Sequence, residues 1–368
     1  MKYPRPEYEN ESVPKRKVKL AFSNMEFEVP SFDLPVTPLE NFRRVVARKD
    51  PLWVPGSLTD FHNLMYQDMG IGRQISADFN RKATEDYDFM DWFGVPLRWC
   101  VIAGGATNKP GTHLLEDITE WEKVIKFPVL SDWDWQTRAD EFMKNVYDPS
   151  KVVQIDLHNG LIQRLILVLG GYTEGMLALS LEPEAVKDFF ERLADHMIEM
   201  VDLFSSLYPV NLMTIHDDWG TERDTFFSPK MMEELVFEPT KRIVDHIKSK
   251  GISFMLHSCG NVSRFIPYMI DMGVDLLQIQ RRAVDIPAMK LKYGDRIGFN
   301  TGIEGMLPGV THTKEDLIRM VRHTVDTYGK GGGFFASIYG GNQRTVWDLT
   351  TELYAYSREF YDDDRCAQ

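Results

Sequence analysis

Cysteine is scarce in this chain: three residues (Cys100, Cys259 and Cys366) among 368, too few and too scattered for a disulfide framework. Long apolar runs are missing too. No stretch reaches the ~18 residues that a bilayer span needs, so no membrane role is expected. The N-terminal MKYPRPEYENESVPKRK lacks the apolar core of a secretory signal, which leaves a cytoplasmic protein by elimination. Basic charge is short: Lys and Arg total 42 against 55 Asp and Glu, a net −13. A polyanion binder needs a basic surface to release counterions, so nucleic acid is excluded as the main ligand. No Gly-x-Gly-x-x-Gly follows a strand, which argues against a dinucleotide fold. Neither an internal repeat nor a low-complexity linker is found. What remains is 43% hydrophobic and 26% charged, the balance of a globular protein. Its acidic surface suits a soluble enzyme that docks another protein or takes a neutral substrate.

The length allows two domains or one large architecture. The first 36 residues carry Pro4, Pro6, Pro14, Pro30 and Pro35 and read as an extended arm. Thr37-Pro38 then reads as an N-cap with proline at the first helical position, opening a helix with Phe42, Val45 and Val46 on one face. Residues from about 50 to 90 look irregular and aromatic. From about 150 onward, short apolar runs alternate with helices: VVQID (152–156), NLMTI (211–215), ISFML (252–256), DLLQI (275–279), RIGFN (296–300) and GFFAS (333–337). One helix opens at Pro183. Another starts at Ser228-Pro229, ends at Gly251 and should kink at Pro239. Continuous apolar strands separated by crossovers mean a parallel sheet covered on both faces. The expected fold is therefore α/β, a (β/α)8 TIM barrel with an N-terminal extended and helical extension. Residues 1–75 form the arm and helix in this reading, and 76–365 the catalytic barrel.

Barrel chemistry lies at the C-terminal strand ends. Here those ends read His158-Asn159, His216-Asp217-Asp218-Trp219-Gly220, His257-Ser258-Cys259-Gly260-Asn261, Gln280-Arg281, Thr301 with Glu304, and Ile338-Tyr339-Gly340. His257-x-Cys259 is the sharpest feature: imidazole and thiolate two residues apart can share a tetrahedral zinc, with Gly260 permitting the tight turn. A buried cysteine beside a hydrogen-bonded histidine is the plain alternative. Asp217 and Asp218 offer carboxylates for hydrogen bonding, acid–base work or a metal, or simply a helix cap. Glu304 sits on a glycine-flanked loop, and Tyr339 lies among glycines. The Gly331-Gly332-Gly333 run precedes a strand and reads as a turn.

These pieces together resemble the uroporphyrinogen decarboxylase superfamily, in its zinc- and corrinoid-dependent methyltransferase branch. The matching residues are Thr37-Pro38-x-Glu40-Asn41-Phe42, Val54-Pro55, Asp91-x-Phe93-Gly94-Val95, Asp217-Asp218-Trp219-Gly220 with Phe227-Ser228-Pro229, and His257-x-Cys259-Gly260-Asn261. The decarboxylase branch carries an arginine-bearing N-terminal motif, and the nearest candidate here, Gly72-Arg73-Gln74-Ile75, lacks its pattern. In the methyltransferase branch His-x-Cys supplies two zinc ligands. Thiol-methylating relatives add a cysteine on the last strand, where this chain has Ile338-Tyr339-Gly340. Methionine synthases add a glutamate where it has Gln280. The resemblance thus implies zinc on His257 and Cys259, completed by Glu304, Asp218 or Gln280. It implies His216, Asp217, Asp218 and Tyr339 in catalysis, and Asp91, Phe93, Trp219, Asn261 and Gln280 at the substrate.

A zinc with fewer thiolates is a stronger Lewis acid and suits an ether oxygen better than a thiol. The expected function is therefore methyl transfer from a small methoxylated aromatic to the Co(I) corrinoid of a partner protein, since no Asp-x-His-x-x-Gly cobalamin motif occurs here. That partner should dock at the barrel mouth, with Phe61, Tyr66, Phe89, Trp92 and Phe93 helping to line it. A homodimer is compatible with this picture. The alternatives are transfer involving another methyl donor or a thiol, and a metal-free decarboxylase.

Overall fold

A computed structural model describes residues 2–19, 25–65, 84–102, 105–306, 310–339 and 341–363. Tyr66, the Gly72–Ile75 segment, Gly340 and Cys366 lie outside the described residues. The arm is not plain extended chain: β1 (Lys15–Lys19) pairs antiparallel with β2 (Glu26–Pro30). Val18, Phe27 and Val29 turn inward while Lys15, Lys17, Lys19 and Glu26 face out, the two-residue alternation of a half-buried ribbon. The helix Pro38–Ala47 follows, with the Glu40 N–H donating to the Thr37 hydroxyl and Arg48 closing it in a left-handed conformation.

The stretch read as irregular holds β3 (Phe61–Met65) and β4 (Tyr87–Met90), and β4 joins β5 (Pro96–Cys100) and β6 (Gly105–Asn108) in an antiparallel sheet. The strands expected beyond 150 are all present: β7 (Val152–His158), β8 (Leu212–His216), β9 (Ser253–Ser258), β10 (Leu276–Ile279), β11 (Gly298–Gly302) and β12 (Phe334–Ser337). They form a curled parallel sheet in the order β12-β11-β10-β9-β8-β7-β3. Seven strands, not eight, make this sheet among the described residues, so the expected (β/α)8 barrel is carried as an α/β fold with a curled seven-stranded sheet. Gly56 bridges Ala336 of β12, with the Ser57 N–H donating to the Ala336 carbonyl at 2.9 Å. Four residues beyond Gly56, the Asp60 carbonyl accepts from the Val152 N–H of β7 at 3.0 Å. One short segment thus bonds to β12 and to β7 and runs on into β3.

Contact density divides the chain into two compact units, one of residues 1–63, 148–154 and 275–368, the other of 64–147 and 155–274. In the second, the helix Pro183–Leu207 buries Val186, Phe189, Phe190, Leu193, Met197 and Phe204 against its neighbours. Each such side chain contributes about 1.5–3 kcal/mol on burial. The helix expected from Pro229 is interrupted: Met232–Val236 widens into a π turn before the regular helix Phe237–Ser249. Pro239 has no N–H to return to residue 235, and the widened turn absorbs the missing bond. No single helix among the described residues is long and apolar enough to cross a membrane.

Candidate metal and catalytic site

Three neighbouring strand ends of the second unit place three imidazoles in a row. His158 closes β7 and His216 closes β8, their rings stacked at 4.2 Å and within 11° of parallel. His216 pairs in register with His257 of β9, ring to ring at 4.5 Å. Burial pushes both His158 and His216 well below the ordinary imidazole range, so both are neutral. The His216 Nε2 lies 3.5 Å from Asp156 on the adjacent strand.

The β8–β9 ladder continues beyond the strands and sets the next residues. The Asp217 N–H donates to the His257 carbonyl at 3.0 Å, the Trp219 N–H to the Ser258 hydroxyl at 2.9 Å, and the Asn261 N–H to the Thr221 carbonyl at 2.6 Å. The two loops touch through bare backbone at Gly220 and Gly260. A Cβ on Gly260, whose φ is +81°, would lie 2.0 Å from the Gly220 oxygen, so glycine is required there. This clasp lays the Asp218 carboxylate over the Cys259 backbone, whose N–H donates to Oδ1 at 2.8 Å. The Cys259 Sγ is 3.6 Å from the His257 Nε2, which is 3.7 Å from the same Asp218 oxygen.

Asp218, His257 and Cys259 are the one group of possible metal ligands among the described residues, their donor atoms all within 4.8 Å of one another. The nitrogen lies 3.6 Å from the sulfur and 3.7 Å from the oxygen, close to the spacing that a tetrahedral zinc with ordinary bond lengths imposes. The charge pattern fits as well. Burial, reinforced by Asp218, pushes the Cys259 thiol up to about 12, and a cation between them would remove that penalty. All three are half-buried, leaving room for an outside ligand.

Asp217 has a different employment. Its carboxylate is buried and accepts from the Ile162 and Gln163 N–H groups at 3.2 and 2.7 Å and from the Trp219 indole at 2.7 Å. It thereby caps the helix Leu161–Leu169, and Gly160 is tight against it: a Cβ there would meet the Asp217 side chain at 2.6 Å. Trp219, fully buried, packs on Phe227 and Phe265. The Asn261 side chain accepts from the Ser263 N–H and hydroxyl and donates to the Arg223 carbonyl. Asp91 receives the Phe93 and Val95 N–H groups, both at 2.9 Å, and a buried ion pair from Arg164, whose guanidinium lies 4.0 Å over the Phe93 ring.

Gln280, Glu304 and Tyr339 belong to the other unit. The Gln280 carbonyl accepts from the Ala283 and Val284 N–H groups. Glu304 accepts a 2.5 Å hydrogen bond from the Tyr328 hydroxyl and lies 3.8 Å from Arg281. The Tyr339 ring is largely exposed. Sequence reasoning passed over Tyr172, half-exposed against Phe226 at 5.1 Å. Its phenol is raised by burial and by Asp218 and Cys259, and it hydrogen-bonds Gln163. Its only sequence signal is the Gly170-Gly171 pair that ends one helix and starts the next.

Residues 167–338 match the family model of uroporphyrinogen decarboxylase (URO-D). A methyltransferase from Methanosarcina mazei has the same fold, with a TM-score of 0.55 over 89% of this chain and 99% of its own at 12% identity. D-psicose 3-epimerase from Clostridium cellulolyticum H10 is farther away, at a TM-score of 0.29 and 14% identity over 63% of this chain and 93% of its own. No curated protein matches the chain.

Proposed function

We propose, with the uroporphyrinogen decarboxylase family match over residues 167–338 as premise, that this protein is a methyltransferase of that superfamily. Its substrate in this reading is a small methoxylated aromatic, and its acceptor is the corrinoid of a partner protein. The observation that carries the reading is the convergence of Asp218, His257 and Cys259 at the ends of β8 and β9. The shared fold with the Methanosarcina mazei methyltransferase supports the scaffold.

Asp218, His257 and Cys259 would hold zinc, which when bound supplies a Lewis acid for an ether oxygen. The bond that breaks joins the methyl carbon to that oxygen. The oxygen keeps the bonding pair and leaves as a phenolate, so the site must accommodate new negative charge. His158 and His216, neutral and stacked, offer an uncharged wall to an aromatic ring. The Tyr172 phenol, which feels Asp218 and Cys259, would donate to the departing oxygen. Asp217 is a positioning residue: it fixes the start of Leu161–Leu169 and, through the backbone, Asp218. Glu304, Gln280 and Tyr339 remain proposals for the substrate side or the metal.

The test mixes the purified protein with a reduced corrinoid protein and a guaiacol- or vanillate-type ether, follows the phenol, and measures zinc in the same sample. Phenol formation that stops on zinc removal supports the reading. Methyl transfer from thiols alone would overturn the substrate, and a zinc-free protein that decarboxylates a porphyrinogen would overturn the reaction class.

A further inference from the structure

Two helix starts meet within the unit that contains residues 275–368. The helix Lys314–Tyr328 begins at Thr313, whose hydroxyl accepts the Asp316 N–H at 3.1 Å. The helix Gln343–Asp362 begins at Asn342, whose side chain accepts the Thr345 N–H at 2.8 Å. Each cap satisfies one first-turn N–H, and each helix turns its positive end toward the same place. A cavity of about 240 Å³ lies there, lined by His312, Lys314, Arg344, Thr345 and Asp348 among others. The His312 Nε2 is buried and has no hydrogen-bond partner among the described residues.

The chain's own carboxylates already sit on these cations. Glu7 accepts from the Lys314 Nζ at 2.6 and 2.8 Å and lies 3.8 Å from Arg344. Glu9 pairs with Arg344, whose Nε is 3.4 Å from Asp348. The backbone around Glu7 is pinned elsewhere: Arg5 bridges Glu352 and Glu359, and the Trp347 indole donates to the Pro6 carbonyl. The two glutamate side chains, by contrast, are 57% and 64% exposed and have solvent to swing into. With them aside, the cavity presents the Lys314 and Arg344 cations against the Asp348 carboxylate, beside two helix N-termini.

We propose that this cavity binds a small oxyanion, inorganic phosphate or the phosphate group of a small ester, and that Glu7 and Glu9 are internal stand-ins for it. Helix N-termini favour phosphate through aligned N–H groups. The cavity is smaller than the roughly 300–1,000 Å³ of drug-sized pockets, which suits one phosphate group. The inference does not rest on the methyltransferase reading.

The full-length protein titrated with inorganic phosphate at constant chloride, followed by phosphorus NMR line width, reads binding directly. Phosphate should bind the wild type, bind the Glu7→Gln/Glu9→Gln variant at least about fivefold more tightly, and bind Lys314→Met/Arg344→Met at least about tenfold more weakly. Circular dichroism and Tm check that both variants keep the fold. Phenyl phosphate binding at least as well as the free ion assigns the site to esters, and preference for the free ion assigns it to phosphate itself; either supports the proposal. It is overturned if neither wild type nor the glutamine variant binds, if removing the glutamates leaves affinity unchanged, or if binding survives loss of Lys314 and Arg344.

Discussion

At the scale of single residues, the proposed metal role makes sharp demands. Cys259→Ser should strip bound zinc while leaving Tm nearly unchanged, because the residue is half-buried at a strand end and little packing is lost. Asp218→Asn keeps an acceptor for the Cys259 N–H but loses the charge, so zinc affinity should fall at least about tenfold with the fold intact. Elemental analysis and a zinc-chelator competition check both, and full zinc occupancy in Cys259→Ser would remove the metal assignment. His196 gives a pH prediction away from that site. It is 1% exposed amid Trp92, Phe93 and Phe127, and burial, then Arg192 and Arg164, lowers it to about 3. Its folded value lies below the unfolded one, near 6.5, so between pH 6.5 and 3 the unfolded chain binds more protons and stability falls as pH drops. At pH 5 the loss should be roughly 2 kcal/mol. Urea unfolding of wild type and His196→Leu at pH 5 and 7 tests this: the variant should lose that much less. The residue types of the site were visible in the sequence as polar strand ends. Which carboxylate meets His257 and Cys259 was not, because that depends on a loop-to-loop ladder which no local pattern encodes.

At the scale of elements, the strands from β7 to β12 were legible since each is a continuous apolar run with a crossover beside it, and burial on both faces leaves that mark. β3, FHNLM, was not. Its histidine and asparagine interrupt the apolar run, and the Asp148 N–H donates to His62 at 2.9 Å while Asn63 donates to the Ser57 carbonyl at 2.9 Å. The ribbon β1–β2 was hidden by its prolines and charges, and only Val18, Phe27 and Val29 reveal its inner face. The Gly331-Gly332-Gly333 run is a turn, all three with φ between +63° and +72°. The loop clasp after β8 and β9 yields its own prediction. Gly260→Ala forces a Cβ into the Gly220 carbonyl at a positive φ, so the loops must part and Asp218 moves off Cys259. The expected result is a stability loss of more than about 1 kcal/mol together with weakened zinc binding. Denaturant melts beside zinc titration would show it, and a variant with wild-type values for both would mean the clasp does not position the ligands.

At the scale of the whole molecule, the stretch that matches the family model is not a folding unit. Residue 167 lies inside the helix Leu161–Leu169, and residue 338 falls just after β12, before the helix Gln343–Asp362. A fragment of residues 167–338 would leave out β3, β7 and that final helix, which buries Trp347, Leu349, Leu353 and Phe360. Such a fragment should be insoluble or lack near-ultraviolet dichroism, while the full chain unfolds cooperatively; a sharp melt from the fragment would contradict this.

The interleaving of the two units also sets a timetable for the growing chain. Residues 1–63 share a unit with residues 148–154 and 275–368, whereas the other unit is complete once residue 274 has been made. On the ribosome 274 − 63 = 211 further residues must emerge before the large remaining part of that unit begins to appear, and only the short segment 148–154 comes earlier. At about 5–20 residues per second that is roughly 10–40 s during which β1, β2 and the helix Pro38–Ala47 lack most of the surface that finally covers Phe27, Val29 and Val45. The prolines and charges that disguise this segment as a loose arm are what keep such a stretch from aggregating while it waits.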